Sequence, residues 1–394
     1  HAGTANDVLT QVPMVLGSDG NFEVLGKGSP AIYVNGRLLQ DVSELAQISS
    51  ANIKTVEVQT NPGAKYSAAV KSVIKITLKA PQGDGLSGLV RVQGAVQKYF
   101  RTMDQLNLKY RTGGLEVFGN FGYMGGRHED ASTIDMLTRA SVLWNQIMEQ
   151  EGKAKVQDFY AKAGFSYLFN SRHSIGAYYT NGFKKTDAHN YGFSRIFADG
   201  TSYDELSVNI HQKGDLVPKH HANMYYNGTI GKLGIDLNMD YMWQKDNSDL
   251  LNDEASGNFD DARVASSTLN HSRLFAEKLV FSYPVWKGSI EFGNEYTSSR
   301  FATDYTTNAS QLTSADSRVD ESNIAGFVQL AQHFGIWNVG AGLRYEHVAF
   351  KYLENGQKRD DMSRSYNNLF PSLSLSTVIR KVQLALSDTH KTQR

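Results

Sequence analysis

Alternation of apolar and polar positions runs through most of the chain and predicts long β-strands. In the stretch LGIDLNMDYMWQ, every second residue from Leu233 to Trp243 is apolar and most residues between them are polar. Successive side chains of a strand point to opposite faces of a sheet, so this pattern gives one apolar and one polar face. The same alternation recurs at 90–97, 115–123, 338–346 and 369–375. We therefore predict a large antiparallel sheet from residue 86 onward.

Two kinds of connection separate the predicted strands. Short turns are predicted at 111–114, 170–172, 230–234, 283–288, 334–337 and 379–382. Long polar loops are predicted between them, at 128–152, 188–216, 248–268, 306–319 and 354–366. Tight turns at one end and long loops at the other are typical of an outer-membrane β-barrel. Lipid also explains the alternation, because hydrocarbon cannot satisfy backbone polar groups and only a closed barrel leaves no open edge.

The first eighty or so residues have a different pattern. NFEVLG and AIYVNGRLL predict short strands, and DVSELAQI predicts a helix. NIKTVEVQTNPGAKYSAAVKSVIKITLK predicts two strands around an Asn-Pro-Gly turn. We predict a compact α/β unit of residues 1–82, a flexible link, and a barrel segment of residues 86–394.

The number of strands gives a further expectation. We count thirteen after the link, and an odd number leaves the last strand without a returning neighbour. A small folded unit before a barrel is the arrangement of a plug, and a lumen that holds about eighty folded residues needs about 22 strands. We therefore expect the chain to be the N-terminal part of a longer protein.

Composition excludes several function classes. The chain has 394 residues, with 40 lysines and arginines balanced by 40 aspartates and glutamates, so its overall charge does not favour nucleic acid. It has no cysteine, which removes disulfides, thiolate metal sites and cysteine nucleophiles. No apolar run approaches the length of a membrane helix.

Candidate catalytic and metal-binding residues are few. His220 and His221 are adjacent, so in a strand they point to opposite faces and do not share a metal ion. Asp260 and Asp261 lie near other acids, but their spacing does not match a calcium loop. The chain lacks a Gly-x-Ser-x-Gly motif. We predict no catalytic residue, no cofactor and no metal site, and no enzyme activity.

Several motifs resemble those of the TonB-dependent receptor family of outer-membrane proteins. ANDVLTQVPMV is similar to the opening motif of the family's plug, AIYVNGRLL to the strand and turn before its small helix, and residues 52–79 to its closing element. The Asn-Pro pair, the following AKY and NLFPSLSLS at 368–376 resemble the subgroup called outer membrane β-barrel family proteins. The resemblance covers the whole chain and is densest in the first eighty or so residues. It implies a transmembrane antiparallel β-barrel with an N-terminal α/β plug inside the lumen.

The resemblance also implies a function. Such a protein lies in the outer membrane of a Gram-negative bacterium and imports a scarce nutrient when a TonB-type energy-coupling protein acts on the plug. A surface lipoprotein or another outer-membrane protein is a further expected partner. In this family, plug apices and external loops hold the ligand, which gives as candidate ligand-binding residues His128, Glu129, Asp130, Tyr191, Phe193, Tyr203, Asp260 and Asp261.

Two other functions stay open at this point. A plugged barrel can serve as a scaffold or receptor in an outer-membrane complex without transporting anything, and its function then survives loss of energy coupling. A soluble β-sandwich enzyme would also show alternation, but it would stay in solution without detergent.

Overall fold

The computed structural model describes residues 3–18, 21–35, 37–39, 42–60, 62, 66, 70–79, 84–96, 98–170, 172–309, 312–379 and 382–389. Its first part, residues 3–79, is called the N-terminal unit below. The unit contains one short α-helix, two 3₁₀ helices and six strands: α1 (Ala5–Leu9), β1 (Val15–Ser18), β2 (Asn21–Val24), β3 (Ala31–Val34), β4 (Arg37–Leu38), 3₁₀ helices Val42–Gln47 and Ser50–Asn52, β5 (Ile53–Gln59) and β6 (Val73–Leu78).

The strands of the N-terminal unit form two small sheets. The first is the hairpin of β1 and β2, and the second has the order β4-β3-β6-β5. In the second sheet β3 and β6 are parallel, whereas β5 and β6 are antiparallel. The helices among the described residues are too short, and not apolar enough, to cross a bilayer.

A compact apolar core holds the N-terminal unit together. Leu9 and Leu45 are fully buried, and they belong to one cluster with Val24 and with Ile74 and Ile76 of β6. The alternation of Ile74 and Ile76 with polar residues therefore places the apolar face of β6 on the core, as its sequence predicts.

Two details of the N-terminal unit differ from expectation or cannot be compared with it. DVSELAQI was predicted as a helix, and the structure has only a 3₁₀ helix at Val42–Gln47, because so short a segment completes few α-helical hydrogen bonds. The predicted Asn-Pro-Gly turn lies largely outside the described residues, which here include only Pro62.

From Gly85 onward the chain forms one large antiparallel sheet. Its strands are β7 (Gly85–Val96), β8 (Phe100–Thr112), β9 (Leu115–Arg139), β10 (Leu143–Asn170), β11 (His173–Ala198), β12 (Thr201–Ile230), β13 (Leu233–Ser256), β14 (Ala262–Val285), β15 (Gly288–Thr307), β16 (Ala315–Phe334), β17 (Trp337–Glu354), β18 (Gln357–Lys358), β19 (Arg364–Ile379) and β20 (Val382–Thr389).

Each long strand of this sheet pairs with its neighbours in chain order, from β7 to β20, and the two-residue β18 pairs only with β17. The path apart from β18, called the strand wall below, has thirteen strands, which confirms the predicted count. Within the described residues the path is open, with β7 at one edge and β20 at the other. The fold is mainly β and of the transmembrane antiparallel type that the alternation predicts.

The predicted long loops at 128–152, 188–216 and 248–268 are wrong for most of their length, whereas roughly half of 306–319 and of 354–366 lies outside the strands, as predicted. Residues 128–139 belong to β9 and 143–152 to β10, and the chain turns between them within three residues. A tilted strand crosses a bilayer with about 9–11 residues, so more than half of the 28 residues of β10 extend beyond it. The many polar residues of these segments predicted loops. Strands that extend into water nevertheless keep the backbone hydrogen bonds to their neighbours, as strands in lipid do.

Two of the outer turns show why these hairpins continue so far. Asp199 and Gly200 connect β11 to β12 with φ values of 48° and 80°, and Asn355 and Gly356 connect β17 to β18 with 50° and 76°. Positive φ at both central residues is the type I′ geometry, whose twist matches paired strands, and Asp-Gly and Asn-Gly favour it. The strands therefore stay paired up to the turn.

Candidate functional site

The two faces of the strand wall differ in chemistry. Leu237 and Tyr241 lie on one face of β13, and Asn238 and Asp240 lie on the other. The register of β13 with β14 places Asn238 opposite Lys278, so Lys278 shares the polar face. The apolar face is the one that meets lipid in a β-barrel.

The N-terminal unit contacts the polar face. The Nζ atom of Lys278 lies 5.2 Å from the ring centroid of Tyr66 and 5.9 Å from that of Phe327 on β16. Tyr66 packs edge-to-face on Tyr33 of β3, with 5.4 Å between the ring centroids. The polar face of the wall is therefore its inner face, and the N-terminal unit lies against it.

Four charged side chains form a cluster at this contact, called the luminal ion cluster: Lys278, Glu295, Arg344 and Glu346. Lys278 Nζ lies 3.4 Å from Glu295 Oε2, and Arg344 Nη2 lies 3.5 Å from the same atom. Arg344 Nε donates to Glu346 Oε1 at 2.6 Å. Two cations and two anions neutralise one another, so the cluster brings no net charge to the contact.

Burial makes the luminal ion cluster sensitive to change. The side chains of Arg344 and Glu346 are 1% and 2% exposed. A buried charge without its partner costs several kcal/mol, whereas a paired one is tolerated. Arg344 and Glu346 can therefore stay buried at this contact only as a pair.

The two tyrosines of the contact are also shielded from water. Burial raises the pKa of Tyr33, and the negative charge of Glu295 raises it further. Burial likewise raises the pKa of Tyr66, with Glu291 adding to the effect. Both phenols are neutral at physiological pH, and the contact combines aromatic rings with paired charges rather than a nucleophile with a base.

A second buried polar group lies on the inner face of β12 and β13. His221 Nε2 and Asp240 Oδ1 are 2.8 Å apart, and Asn223 Nδ2 donates to the same Asp240 oxygen at 2.8 Å. The ring of His221 packs edge-to-face on Tyr178. The neighbouring His220 instead packs on Trp243, so the two adjacent histidines contact different partners, as their opposite faces predict.

An extracellular cavity of about 1020 Å³ brings together three of the eight predicted ligand-binding residues. Tyr191, Phe193 and Asp261 line it together with Asp253 and Arg263. Arg263 donates to Asp253 through Nε at 2.5 Å and through Nη2 at 3.0 Å. Aromatic rings beside charged groups give this cavity the means to bind an amphipathic solute. By register the cavity lies on the face of the strands that points away from the lumen.

The other predicted residues lie elsewhere. Glu129 is held by Lys98 at 2.7 Å and by the hydroxyl of Tyr99 at 2.9 Å. The ring of Tyr203 packs edge-to-face on Trp144. The remaining three are not in the lining of the cavity: His128, Asp130 and Asp260.

A buried carboxylate, which sequence reasoning missed, orders the connection between β13 and β14. Asp204 accepts hydrogen bonds from the Oγ of Ser256 at 2.7 Å and from the backbone N–H groups of Gly257 at 2.9 Å and Asn258 at 3.1 Å. Its alternating position in β12 gives no signal of this role. The connection leads directly to Asp261 in the cavity wall.

We expect this connection to loosen in acid. The hydrogen bond from Ser256, followed by those from backbone N–H groups, lowers the pKa of Asp204 below its ordinary value of 3.8. The carboxylate therefore stabilises the connection fully above that value, and the contribution is lost as the pH falls through the lowered pKa. Hydrogen-exchange protection of the Gly257 and Asn258 amides should fall in that range.

The variant Asp204→Asn should give the same loss of protection at neutral pH. The amide of Asn308, which donates to the carbonyl of Ala265, serves as an internal control because it does not depend on a carboxylate. Equal losses at Asn308 and Gly257 would show general unfolding and would contradict the role of Asp204.

The strand wall and its two faces define the class: this is an outer-membrane β-barrel protein. Residues 226–394 match the sequence model of a family described as the outer membrane protein beta-barrel family. The match covers the strands from the end of β12 to β20 and confirms the predicted outer-membrane β-barrel. The protein therefore lies in the outer membrane of a Gram-negative bacterium. No curated protein matches the chain.

Solved structures resemble the chain at low sequence identity. The unliganded ferric citrate transporter FecA has 11% identity and a TM-score of 0.34, with 95% of this chain and 71% of that chain covered. BauA, the ferric preacinetobactin receptor of Acinetobacter baumannii, has 11% identity and a TM-score of 0.33, with 97% and 75% covered. FyuA, the ferric yersiniabactin uptake receptor of Yersinia pestis, has 12% identity and a TM-score of 0.33, with 97% and 82% covered.

Proposed function

We propose that the protein is a TonB-dependent outer-membrane receptor that binds a nutrient outside the cell and imports it. Residues 1–82 are the plug in this proposal, and residues 86–394 belong to the barrel. The contact of Tyr66 with Lys278 supports it best, because Tyr66 belongs to the N-terminal unit and Lys278 lies on the inner face of the wall. Such a unit obstructs a pore and must be displaced before a solute can pass.

External energy is part of this proposal. Displacing the N-terminal unit breaks the aromatic contact with Lys278 and exposes the luminal ion cluster, and nothing in the folded wall supplies that free energy. A TonB-type energy-coupling protein is the proposed source. A surface lipoprotein or another outer-membrane protein is a further proposed partner. The proposal assigns no enzyme activity.

The extracellular cavity is the proposed first point of contact for the ligand. Tyr191 and Phe193 offer aromatic surface, and Asp261 lies at the end of the connection that Asp204 orders. His128 and Asp130 lie on the other face of β9 from Glu129, because alternate residues of a strand point to opposite sides. In the proposal they meet the ligand further along its path.

We expect uptake to stop when the N-terminal unit is tied to the wall. The chain has no cysteine, so the double variant Tyr66→Cys/Lys278→Cys places its only two thiols at the contact. A bis-maleimide with a cleavable disulfide spacer joins them. In cells with this variant as their sole copy, solutes lost from a complete growth medium are followed by mass spectrometry, before and after reduction of the spacer.

Loss of at least one solute from the medium should stop on cross-linking and resume on reduction. The two single cysteine variants, treated in the same way, control for labelling and for the lost contact. A non-transporting scaffold predicts the same medium for cross-linked and reduced cells. That result would contradict import and favour the scaffold.

A further inference from the structure

Two histidines and one aspartate meet on adjacent strands outside the predicted ligand-binding set. Asp187 and His189 are two residues apart on β11, so they point to the same face. His211 on β12 lies directly opposite His189 in the register of the two strands. Three side chains that can act as metal ligands therefore lie close together on the paired strands β11 and β12.

The ligand atoms of these residues converge. His211 Nε2 lies 2.8 Å from Asp187 Oδ1, and His189 Nε2 lies 3.5 Å from the same oxygen. The two imidazole rings are stacked, with their centroids 3.9 Å apart and an angle of 14° between their planes. All three ligand atoms lie within 4.8 Å of one another.

These distances suit a small cation with nitrogen ligands. Zn²⁺ binds imidazole nitrogen and carboxylate oxygen at about 2.0–2.2 Å, so in a tetrahedral site the ligand atoms lie about 3.3 Å apart. The two distances to Asp187 Oδ1 lie on either side of this value, and rotation about the side-chain bonds covers the remainder. Two imidazoles with one carboxylate favour a transition metal, because calcium and magnesium prefer oxygen ligands only.

The hydrogen-bond pattern also fits a ligand set. His211 Nε2 donates to Asp187 Oδ1 at 2.8 Å, so the ligand atoms of these two residues already point at each other. Metal binding replaces the proton between His211 and Asp187.

The position of the three residues excludes them from the path through the lumen. Asp187 and His189 share a face of β11 with Tyr179 and Phe183, which belong to the apolar face of the wall, but they lie further along the strand from its start at His173. That face becomes polar beyond Phe183. The site therefore lies on the outside of the β11–β12 hairpin, above the apolar band.

Charged neighbours moderate the affinity without removing the site. Lys155 on β10 lies opposite Asp187, Lys153 lies opposite His189, and Lys213 on β12 lies opposite both Asp187 and Asp249. Lys153 is also 3.7 Å from Glu129, which offsets part of its charge. Lys185 shares the face of Asp187 on β11. These lysines lower the affinity of the site for a cation. They do not prevent the neutral imidazole nitrogens from binding one.

Space for further ligands is available beside the site. His211, Lys213, Asp249 and Ser267 help to line a cavity of about 470 Å³. A water molecule or an external ligand has room there to complete the coordination of an ion held by three protein atoms.

We propose that Asp187, His189 and His211 form a binding site for a divalent transition-metal ion of the Zn²⁺ or Cu²⁺ type. The ion ties β11 to β12 at a level outside the membrane. The site is separate from the cavity proposed to meet the ligand first, since none of its three residues lines that cavity.

Calorimetric titration of the purified full chain in detergent with Zn²⁺ alone tests this proposal. We expect one Zn²⁺ per chain. His189→Gln and His211→Gln should each weaken binding at least as much as the roughly 10–100-fold that loss of an outer-shell partner costs at other sites. Asp187→Asn should weaken it as well.

His271→Gln is the matched control, because His271 lies opposite Lys245 and Ala302, outside the group of three. The electron paramagnetic resonance spectrum of added Cu²⁺ should show coupling to two imidazole nitrogens, and to fewer in either histidine variant. Circular dichroism confirms that the variants are folded. Equal Zn²⁺ binding by the original chain, His189→Gln and His211→Gln would overturn the proposal.

Discussion

Replacement of Glu346 by alanine is expected to lower the free energy of unfolding by about 3–5 kcal/mol. The change leaves Arg344, which is 1% exposed, without the partner that accepts from its Nε atom at 2.6 Å. Glu295, at 3.5 Å from Nη2, is shared with Lys278 and replaces only part of that interaction. Equilibrium unfolding in guanidinium of the protein folded into lipid vesicles measures the effect.

A matched pair on the surface controls for the loss of a carboxylate as such. Glu354 also accepts from an arginine, Arg359, but both are partly exposed, and Arg359 keeps Asp361 at 3.0 Å. Glu354→Ala should therefore change the unfolding free energy little, since exposed ion pairs contribute little. Equal effects of Glu346→Ala and Glu354→Ala would contradict the importance of burial at Arg344.

The double variant Arg344→Met/Glu346→Leu separates the pair from the volume that it fills. Removing both charges leaves neither one unpaired, and apolar side chains of similar size often stabilise a protein as well as a buried ion pair does. We expect most of the loss seen in Glu346→Ala to be recovered. If the N-terminal unit packs on the charges themselves, the contact of its Tyr66 with Lys278 should weaken although the wall stays stable.

The strand wall could be predicted from sequence because its signals are local. Alternation with a period of two appears within ten residues, as from Leu233 to Trp243, and Gly231 has the positive φ of 62° that a tight turn favours. These features do not depend on distant contacts. The thirteen strands were accordingly found, as were the short turns at 111–114, 230–234, 283–288 and 334–337. The predicted turns at 170–172 and 379–382 lie partly outside the described residues.

The extent of the strands could not be predicted in the same way. Residues 128–152 mix polar and apolar residues without strict alternation, so the sequence pattern no longer separates strand from loop, and only the pairing of β9 with β10 shows the difference. That pairing depends on hydrogen bonds between the backbones of the two strands. The pattern of polar side chains in the sequence does not predict these hydrogen bonds. The prediction therefore placed the strand ends too close to the membrane.

The same error concealed the candidate metal site. His189 and His211 both lie in the segment 188–216, which was predicted as a loop. They become neighbours only through the β11–β12 register. The luminal ion cluster was missed for a related reason: its members come from β14, β15 and β17, and the sequence gives the face of each strand but not which charges meet on it.

Replacement of Leu45 by alanine is expected to destabilise the N-terminal unit by about 2–5 kcal/mol. Leu45 is 0% exposed and belongs to the core cluster with Leu9 and Ile74. A core of this size has little stability to lose. The unit should therefore unfold while the strand wall, whose strands pair with one another, stays folded. Limited proteolysis should remove the N-terminal unit and leave the wall intact.

The matched control is Leu25→Ala, since Leu25 is 61% exposed and its truncation should change stability by less than about 0.5 kcal/mol. Cells carrying each variant are then exposed to vancomycin, which an intact outer membrane excludes because of its size. If the N-terminal unit obstructs the lumen, Leu45→Ala makes the cells sensitive and Leu25→Ala does not. If the unit is digested in Leu45→Ala cells and they stay resistant, the unit is not what closes the pore. The proposed plug then fails, although the outer-membrane β-barrel does not.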